Sequence, residues 1–402
     1  MESLAMWQWA CLIGLISWVS ISSSLNVTQK LRSSSQAWVT RHVISGTPLI
    51  LQIQKFQNVF FDTLFSALSC VVSIPFYTGF LPLLFWSGHG KLARQMTILM
   101  ALCDYIGNCV KDVVSAPRPS SPPVRRITAT KDEECHALEY GLPSSHTLNT
   151  VCLSGYLLHY LLSQSENLDF SKQFLGFTLV FCLVSHIGLG RVYLGMHSVI
   201  DIIAGLLMGL IILSFWLAIH NLVDDFIISG QNVTTFWAVL SFCLLFAYPT
   251  PEKPSPSFEY HTAFTGVAFG IVSGVQQTYD QYHHEAIPRA FSELKFMTFC
   301  CRILIGIPTI LLVKLSCKEL GRRVVPFVGN TFGIPITSSG YISSLKEPSK
   351  RRNRQSGYLK KLLFFSNQET FDVDTGVRFL QYAGLAWSVV DLVPTLFSHC
   401  KL

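Results

Sequence analysis

The sequence is poor in charged residues. Only 13% of its 402 residues are Asp, Glu, Lys or Arg, whereas 50% are hydrophobic; an average soluble domain is roughly 25% charged. Such a composition excludes a soluble globular fold and indicates a membrane protein. We therefore expect the lipid bilayer as a partner and no nucleic-acid partner.

The apolar runs are long enough to cross a membrane. A bilayer core about 30 Å thick takes roughly 20 mainly apolar residues per helix. The sequence predicts an all-α fold, a multi-pass transmembrane helical bundle with about eight to ten spans. The candidate spans are residues 5–23, 60–86, 95–113, 147–163, 174–190, 198–219, 234–249, 261–276, 298–316 and 376–397.

The chain also lacks a signal-peptide pattern and a disulfide pattern. No basic segment precedes the first apolar run, which therefore predicts an anchor helix. The twelve cysteines show no spacing repeat, and most fall within apolar runs. They are interpreted as small membrane-buried residues rather than as a disulfide framework.

The polar residues divide the chain into three regions. Residues 1–58 are predicted to form an N-terminal anchor span and a loop. Residues 59–219 contain the polar and ionisable side chains that are candidates for catalysis and binding, and are predicted to form a catalytic core. Residues 220–402 form a C-terminal transmembrane region to which no motif assigns a role.

Three short polar motifs stand at the ends of predicted spans: KDVVSAPRP (111–119), LPSSH (142–146) and RVYLGMHSVID (191–201). The chain crosses once after the second motif and returns before the third, so all three are expected on one face of the membrane. Their candidate functional residues are Lys111, Arg118, Ser144, Ser145, His146, Arg191, His197 and Asp201.

The cations of these motifs need an anion, because charge at a membrane boundary is costly without a partner. A phosphate monoester fits. Arg118 and Arg191 can each make forked hydrogen bonds to phosphate oxygens, and Lys111 supplies a compact charge. Ser144 and Ser145 open a helix, whose first N–H groups and positive dipole end also bind anions.

The two histidines suggest nucleophilic and acid–base chemistry. His197 and Asp201 are four residues apart, so on a helix they share a face, and the carboxylate can hold one ring nitrogen protonated. The other nitrogen is then free to attack. His146 can protonate the leaving alkoxide and later accept a proton from water. With one acid and three cations, the motifs predict no metal site and no cofactor.

The motifs fit K-x6-RP, P-S-x-H and R-x5-H-x3-D, in order. Together they resemble the three-part signature of the type 2 phosphatidate phosphatase and haloperoxidase superfamily. Within that superfamily, the chain most resembles the sphingosine-1-phosphate, or long-chain base phosphate, phosphatase branch. The segments that carry this resemblance are KDVVSAPRPSSPPV, LPSSHTLNT and RVYLGMHSVIDI. The resemblance covers roughly residues 95–210. Gly190 stands where the family often has serine, and Ser145 where it often has glycine.

The resemblance implies roles for these positions. His197 would become phosphorylated, His146 would be the general acid, and Asp201 would support the nucleophile. The implied phosphate-binding positions are Lys111, Arg118, Arg191 and the backbone around Ser144 and Ser145.

The implied activity is metal-independent hydrolysis of sphingosine 1-phosphate and related long-chain base phosphates to the free base and phosphate, through a phosphohistidine intermediate in sphingolipid metabolism. The motifs bind the phosphate and say little about the tail. Phosphatidate, lysophosphatidate and isoprenyl phosphates therefore stay open as substrates. A membrane transporter and a non-catalytic lipid-binding scaffold are alternatives of other classes, although a transporter tends to carry its charges near the bilayer midplane. The sequence leaves the oligomeric state open.

The resemblance also implies the endoplasmic reticulum membrane and a lumenal active site. The basic run at 346–361 has seven basic side chains and one acid, and is interpreted as a solvated loop or as a contact with anionic lipid headgroups. It lies on the catalytic side if every span from 198 to 316 crosses, which the positive-inside rule disfavours for a lumenal site. Agreement requires that one span does not cross, and 234–249 is the shortest.

Overall fold

The computed structural model describes residues 4–128, 137–164, 169–249, 256–283, 296–338 and 371–402, together with residues 134, 340–342 and 345. The basic run at 346–361 lies outside the described residues. The described chain is predominantly helical. Its α-helices, in chain order, are α1 (Met6–Ser24), α2 (Val27–Gln54), α3 (Val59–Cys70), α4 (Ile74–Trp86), α5 (Gly90–Val114), α6 (Ser145–Ser163), α7 (Phe170–Tyr193), α8 (Val199–Ser229), α9 (Val233–Ala247), α10 (Pro256–Thr278), α11 (Phe296–Thr331), α12 (Val373–Val390) and α13 (Leu392–His399).

Two short additions complete the secondary structure. A π-helical turn, Tyr279–His283, continues α10. Two strands, β1 (Ile336–Thr337) and β2 (Phe371–Asp372), pair in parallel with Ile336 opposite Phe371. This contact brings the end of α11 next to the start of α12.

The all-α, multi-pass membrane fold expected from the sequence is confirmed. Within the described residues, α1, α7, α8 and α11 are long and apolar enough to span a membrane, and the bent pair α3 and α4 would add a fifth span. Helix α9, which covers the doubtful run 234–249, is among the shorter apolar helices. Helices α5, α6, α10 and α12 are largely buried within the bundle and carry more polar residues. Neighbouring helices shield them from lipid, so they need not be apolar all round.

The run 60–86, expected as one span, is broken into α3 and α4, which meet at 50°. Ser73 caps α4, because its hydroxyl accepts a hydrogen bond from the Phe76 N–H at 3.4 Å. Pro75 in the first turn of α4 lacks an N–H and suits a helix start. The break sets Ser69 and Cys70 beside the central helices, where both line a cavity.

Residues 27–54 form a helix, although the sequence analysis expects a loop after the anchor span. Helix α2 contacts the C-terminal end of α5. Arg32 donates to the Asp112 and Val113 carbonyls at 2.9 and 3.3 Å, and Gln36 donates to the Ser115 carbonyl at 2.9 Å. These donors satisfy carbonyls that a helix end leaves without intrahelical partners.

The C-terminal half packs against the rest of the bundle through α10, which contacts both α5 and α12. Glycines at three positions one turn apart, Gly266, Gly270 and Gly274, face α12. A Cβ at Gly266 would lie 2.6 Å from the Phe379 carbonyl oxygen. The absent side chains let the two backbones approach, as small residues do in membrane helix pairs.

Candidate active site

A cavity of about 860 Å³ opens at one end of the bundle. Its polar end is formed by the motif residues, and its far end by apolar side chains of the C-terminal half. We call it the main cavity. The polar and charged side chains that line it include Ser69, Ser73, Thr78, Asp104, Asn108, Lys111, Arg118, Glu139, Ser145, His146, Asn149, Arg191, His197 and Lys314.

Four helix ends bring the three motifs together. Lys111 lies in the last turn of α5 and Arg191 in the last turn of α7, whereas His146 lies in the first turn of α6. Helix α8 begins at the third motif and contacts α6 closely at Gly205, where a Cβ would lie 2.7 Å from the Ser144 carbonyl oxygen. The three motifs therefore meet at the polar end of the main cavity.

Arg118 is the centre of the hydrogen-bond network at the polar end. It comes from the proline-rich segment after α5 and is buried. Its Nη1 donates to the Met196 carbonyl at 2.6 Å and to His197 Nε2 at 3.0 Å, and its Nε donates to the Glu139 carbonyl at 3.1 Å. Burial lowers the pKa of Arg118 to about 10, so it stays protonated at neutral pH.

The Arg118 contact determines the tautomer of His197. A guanidinium can only donate, so Nε2 of His197 accepts and carries a lone pair, which puts the ring proton on Nδ1. Burial, followed by the positive charges of Arg118 and Arg191, holds the pKa of His197 well below its ordinary range. The ring is therefore neutral at physiological pH, with its unprotonated nitrogen at the polar end of the main cavity.

His197 and Asp201 do not lie on one face of a helix, as the sequence analysis expected, because His197 lies just before α8 begins. His197 precedes the N-cap Ser198, and Asp201 is the third residue of α8. Asp201 Oδ2 accepts the Ser198 N–H at 2.7 Å and lies 3.6 Å from His197 Nδ1. That separation is an ion-pair distance and too long for a hydrogen bond. The capping turn, rather than one helical face, sets the two side chains near each other.

Glu139 is a site residue that the sequence analysis missed. Its Oε2 accepts from Lys111 Nζ at 2.7 Å and lies 3.6 Å from Arg118 Nη2. Both members of the Lys111 pair are buried. Glu139 comes from the loop before LPSSH, so its only sequence signal was an acid four residues before Pro143.

Ser69 is a second missed residue. It lies near the end of α3, is buried, and accepts a hydrogen bond from Arg191 Nη1 at 3.0 Å. Gly190, the departure from the family pattern, packs against Phe65 of the same helix, where a Cβ would approach a ring carbon to 2.8 Å. Helix α3 thus contacts the third motif through a hydroxyl and an aromatic ring.

The two serines of the second motif have different environments. Ser145 and His146 line the main cavity. Ser144 does not line it, and the expectation that its backbone binds phosphate stays a prediction. Its N–H donates to the Asp201 carbonyl at 3.0 Å and its hydroxyl accepts from the Thr147 N–H at 3.4 Å. Ser144 caps α6 and ties it to α8.

The charges at the polar end are more balanced than the sequence suggested. Lys111, Arg118 and Arg191 are accompanied there by the carboxylates of Glu139 and Asp201, and a third carboxylate, that of Asp104, lines the cavity farther from the end of α5. Two of the acids come from outside the motifs. In the described part of the chain, no group of three or more His, Cys, Asp or Glu side chains is arranged to hold a metal ion.

The apolar end of the main cavity is built by α4 and the C-terminal half, including Tyr260, Phe264, Ile310, Leu311 and Tyr382. A smaller apolar cavity of about 60 Å³ continues beyond it toward Ala263, Ala386 and Val389. We call this the apolar extension. The two cavities share the lining residues Thr78, Met100, Tyr260, Phe264 and Tyr382. The C-terminal region, which no motif explained, therefore forms part of the cavity wall.

The fold and the cavity define a helical membrane protein that holds cations and two histidines at one end of a largely apolar cavity. Comparison with known proteins identifies the family. Residues 92–225 match the family model described as PAP2 superfamily. The chain is 62% identical to lipid phosphate phosphatase delta of Arabidopsis thaliana, over 100% of this chain and 98% of the relative.

More distant relatives cover most of the chain as well. Dihydrosphingosine 1-phosphate phosphatase of Schizosaccharomyces pombe is 28% identical, over 93% of this chain and 92% of the relative. Sphingosine-1-phosphate phosphatase 1 of Rattus norvegicus is 27% identical, over 80% and 68%. No solved structure matches. The chain belongs to the PAP2 superfamily and is a lipid phosphate phosphatase, a phosphoric monoester hydrolase of the membrane.

Proposed function

We propose that this phosphatase hydrolyses phosphorylated long-chain sphingoid bases, such as sphingosine 1-phosphate, through a phosphohistidine on His197. The observation that carries the proposal is the 3.0 Å contact from Arg118 Nη1 to His197 Nε2 at the polar end of the main cavity. It gives a neutral ring whose lone pair already faces a phosphate-binding cation. Relatives named for sphingosine and dihydrosphingosine phosphates support the substrate class.

In the first step, His197 Nε2 attacks phosphorus. A P–N bond forms while the P–O bond to the lipid breaks, and His146 gives its proton to the departing alkoxide. Arg118 exchanges its bond to Nε2 for a phosphate oxygen, and Arg191 and Lys111 stabilise the other oxygens. Asp201, 3.6 Å from Nδ1, offsets the positive charge that the phosphorylated ring carries.

In the second step, water attacks the phosphohistidine. His146, now neutral, accepts the water's proton, the P–N bond breaks, and the electron pair returns to His197 Nε2. Inorganic phosphate leaves and the free enzyme is restored. Neither step needs a redox change or a metal ion.

The same proposal assigns the rest of the chain. Residues 59–219 form the catalytic core, and residues 220–402 supply the apolar wall against which the lipid tail lies. The protein acts in the endoplasmic reticulum membrane, with the polar end of the main cavity facing the lumen.

An epitope tag inserted after Ser121, on the exposed loop between α5 and α6, is expected to resist protease in intact microsomes. Cleavage there would assign the site to the cytosolic face.

The test of the activity is phosphate release by purified protein in detergent. Sphingosine 1-phosphate, phytosphingosine 1-phosphate and phosphatidate are compared for wild type and His197→Ala. We expect wild type to prefer the sphingoid substrates and the variant to be silent on all of them. A preference for phosphatidate would contradict the substrate class but leave the histidine chemistry standing. Equal activity of the variant and wild type would contradict the mechanism.

A further inference from the structure

A buried carboxylate lies deeper in the main cavity than the motif cations. Asp104 precedes Lys111 by seven residues on α5, so the two side chains lie on the same face, about 10 Å apart along the helix axis. Asn108, one turn from each, also lines the cavity. The C-terminal half of α5 thus presents a cation at the polar end and an acid toward the tail end.

Within the described part of the chain, Asp104 has no basic side chain at ion-pair distance, although the charge of Lys111 acts on it through space. It is 8% exposed, and no described basic side chain forms an ion pair with it, whereas Lys111 and Arg118 pair with Glu139. Its two carboxylate oxygens receive only long contacts, both 3.5 Å, from Asn149 Nδ2. A buried carboxylate without a cation is costly, so this position favours a ligand that brings one.

Asn149 lies next to Asp104 at the same place. Its Oδ1 is buried and has no hydrogen-bond partner among the described residues. Asp104 and Asn149 both line the cavity wall, and Asn149 Oδ1 is buried behind it, next to the amide nitrogen that contacts Asp104. An ammonium group has three N–H donors, and the Asp104 carboxylate offers two acceptor oxygens at this place.

The distance from His146 fits a particular position of the lipid. Asn149 lies three residues after His146, which is about 4.5 Å, or just under one turn, along α6. In the proposed mechanism His146 contacts the ester oxygen that leaves. In a sphingoid base phosphate that oxygen is on C1, and the amino group is on the adjacent carbon, on the tail side of the oxygen.

We infer that Asp104 and Asn149 bind the ammonium group of a long-chain base phosphate and select it over phosphate lipids without an amine. The inference rests on the proposed function, because it takes the orientation of the substrate from the roles of His146 and His197. Phosphatidate carries a neutral ester at the corresponding carbon and would leave the Asp104 charge unpaired, which is the kind of mismatch that polar sites reject strongly.

The experiment compares three substrates that differ at this group: sphinganine 1-phosphate, its N-acetyl derivative and octadecyl phosphate. The variants are Asp104→Asn, which keeps the shape, and Asp104→Glu, which keeps the charge. Asp225→Asn is the matched control, because Asp225 is exposed on α8 and does not line the cavity. Specificity is measured as the ratio of kcat/KM values within each variant, so a loss of folded protein cancels.

Wild type is expected to prefer sphinganine 1-phosphate to both analogues. A hydrogen bond to a charged group predicts that Asp104→Asn lowers kcat/KM for sphinganine 1-phosphate by tenfold to a hundredfold. The loss on octadecyl phosphate is expected to be much smaller, since that substrate has no ammonium group for Asp104 to bind. Asp104→Glu should recover part of the preference, and Asp225→Asn should behave as wild type.

Two results would overturn the inference while the proposed function stands. In one, Asp104→Asn keeps the wild-type preference; in the other, it lowers activity on all three substrates equally, which would assign Asp104 to the fold. If wild type itself shows no preference for the amine, the substrate assignment of the proposed function fails, and the inference fails with it.

Discussion

Glu139 competes with phosphate for Lys111, and this can be tested with Glu139→Gln. In the free protein Lys111 Nζ is 2.7 Å from Glu139 Oε2. A phosphate oxygen bound to the opposite side of that ammonium would lie about 5 Å from the carboxylate. At an effective dielectric constant of about 20, two unit charges at that distance repel by about 3 kcal/mol. Allowing for the larger distance to the rest of the anion, we expect Glu139→Gln to bind orthovanadate tenfold to a hundredfold more tightly.

The assay is inhibition of purified protein by orthovanadate, which resembles the transferring phosphoryl group, together with the thermal midpoint with and without the anion. Glu139→Gln should unfold at lower temperature than wild type, because it leaves buried cations without their carboxylate, and vanadate should restore more stability than in wild type. Glu319→Gln is the control, since Glu319 forms an exposed ion pair with Arg322 on α11. Weaker vanadate binding by Glu139→Gln would refute the reasoning and show that Glu139 holds Lys111 in place.

Three further predictions concern the pH dependence of stability, the metal dependence of activity and the position of the lipid tail. The pKa of His197 is depressed in the folded state, so as pH falls below about 6.5 the unfolded state binds a proton that the folded state does not. The free energy of unfolding should therefore decrease by about 1.4 kcal/mol per pH unit below that pH because of this group. In thermal melts, His197→Gln should lose this contribution to the pH dependence of stability. Activity should persist in excess chelator, and a complete loss that magnesium restores would instead indicate a metal enzyme. Ala263→Leu adds three carbon atoms to the apolar extension and should displace about three methylenes of an 18-carbon tail. At about 0.8 kcal/mol for each methylene, kcat/KM for the 18-carbon substrate should fall about sixtyfold relative to a 12-carbon one; an unchanged ratio would mean that the tail does not enter the apolar extension.

The motif residues could be predicted because their spacing along the chain is tied to helix ends. Lys111, His146 and Arg191 each lie in a terminal turn, and successive crossings bring such turns to the same side. Glu139 and Ser69 could not be found in this way. Glu139 lies in a loop, and Ser69 is one small polar residue within the apolar run 60–86, so only the folded chain shows their contacts with Lys111 and Arg191.

Asp104 and helix α2 are both visible in the sequence, but their roles depend on residues that contact them from other helices. Asp104 is an ionisable residue within a candidate span, a position that usually has a function, but Asn149, whose amide nitrogen contacts it, comes from another helix. Helix α2 has many serine and glutamine residues and reads as a loop. Only the folded chain shows that its Arg32 and Gln36 donate hydrogen bonds to the backbone carbonyls at the end of α5.

The measurement that tests the central claim most directly is the trapping of the phosphoenzyme. Wild type and His197→Ala are mixed with sphinganine 1-phosphate labelled in the phosphate, quenched in alkali during turnover, and digested for mass spectrometry. The account predicts phosphate on the imidazole of His197 in wild type and none in the variant. Label on another residue, or equal labelling of His197→Ala, would contradict it.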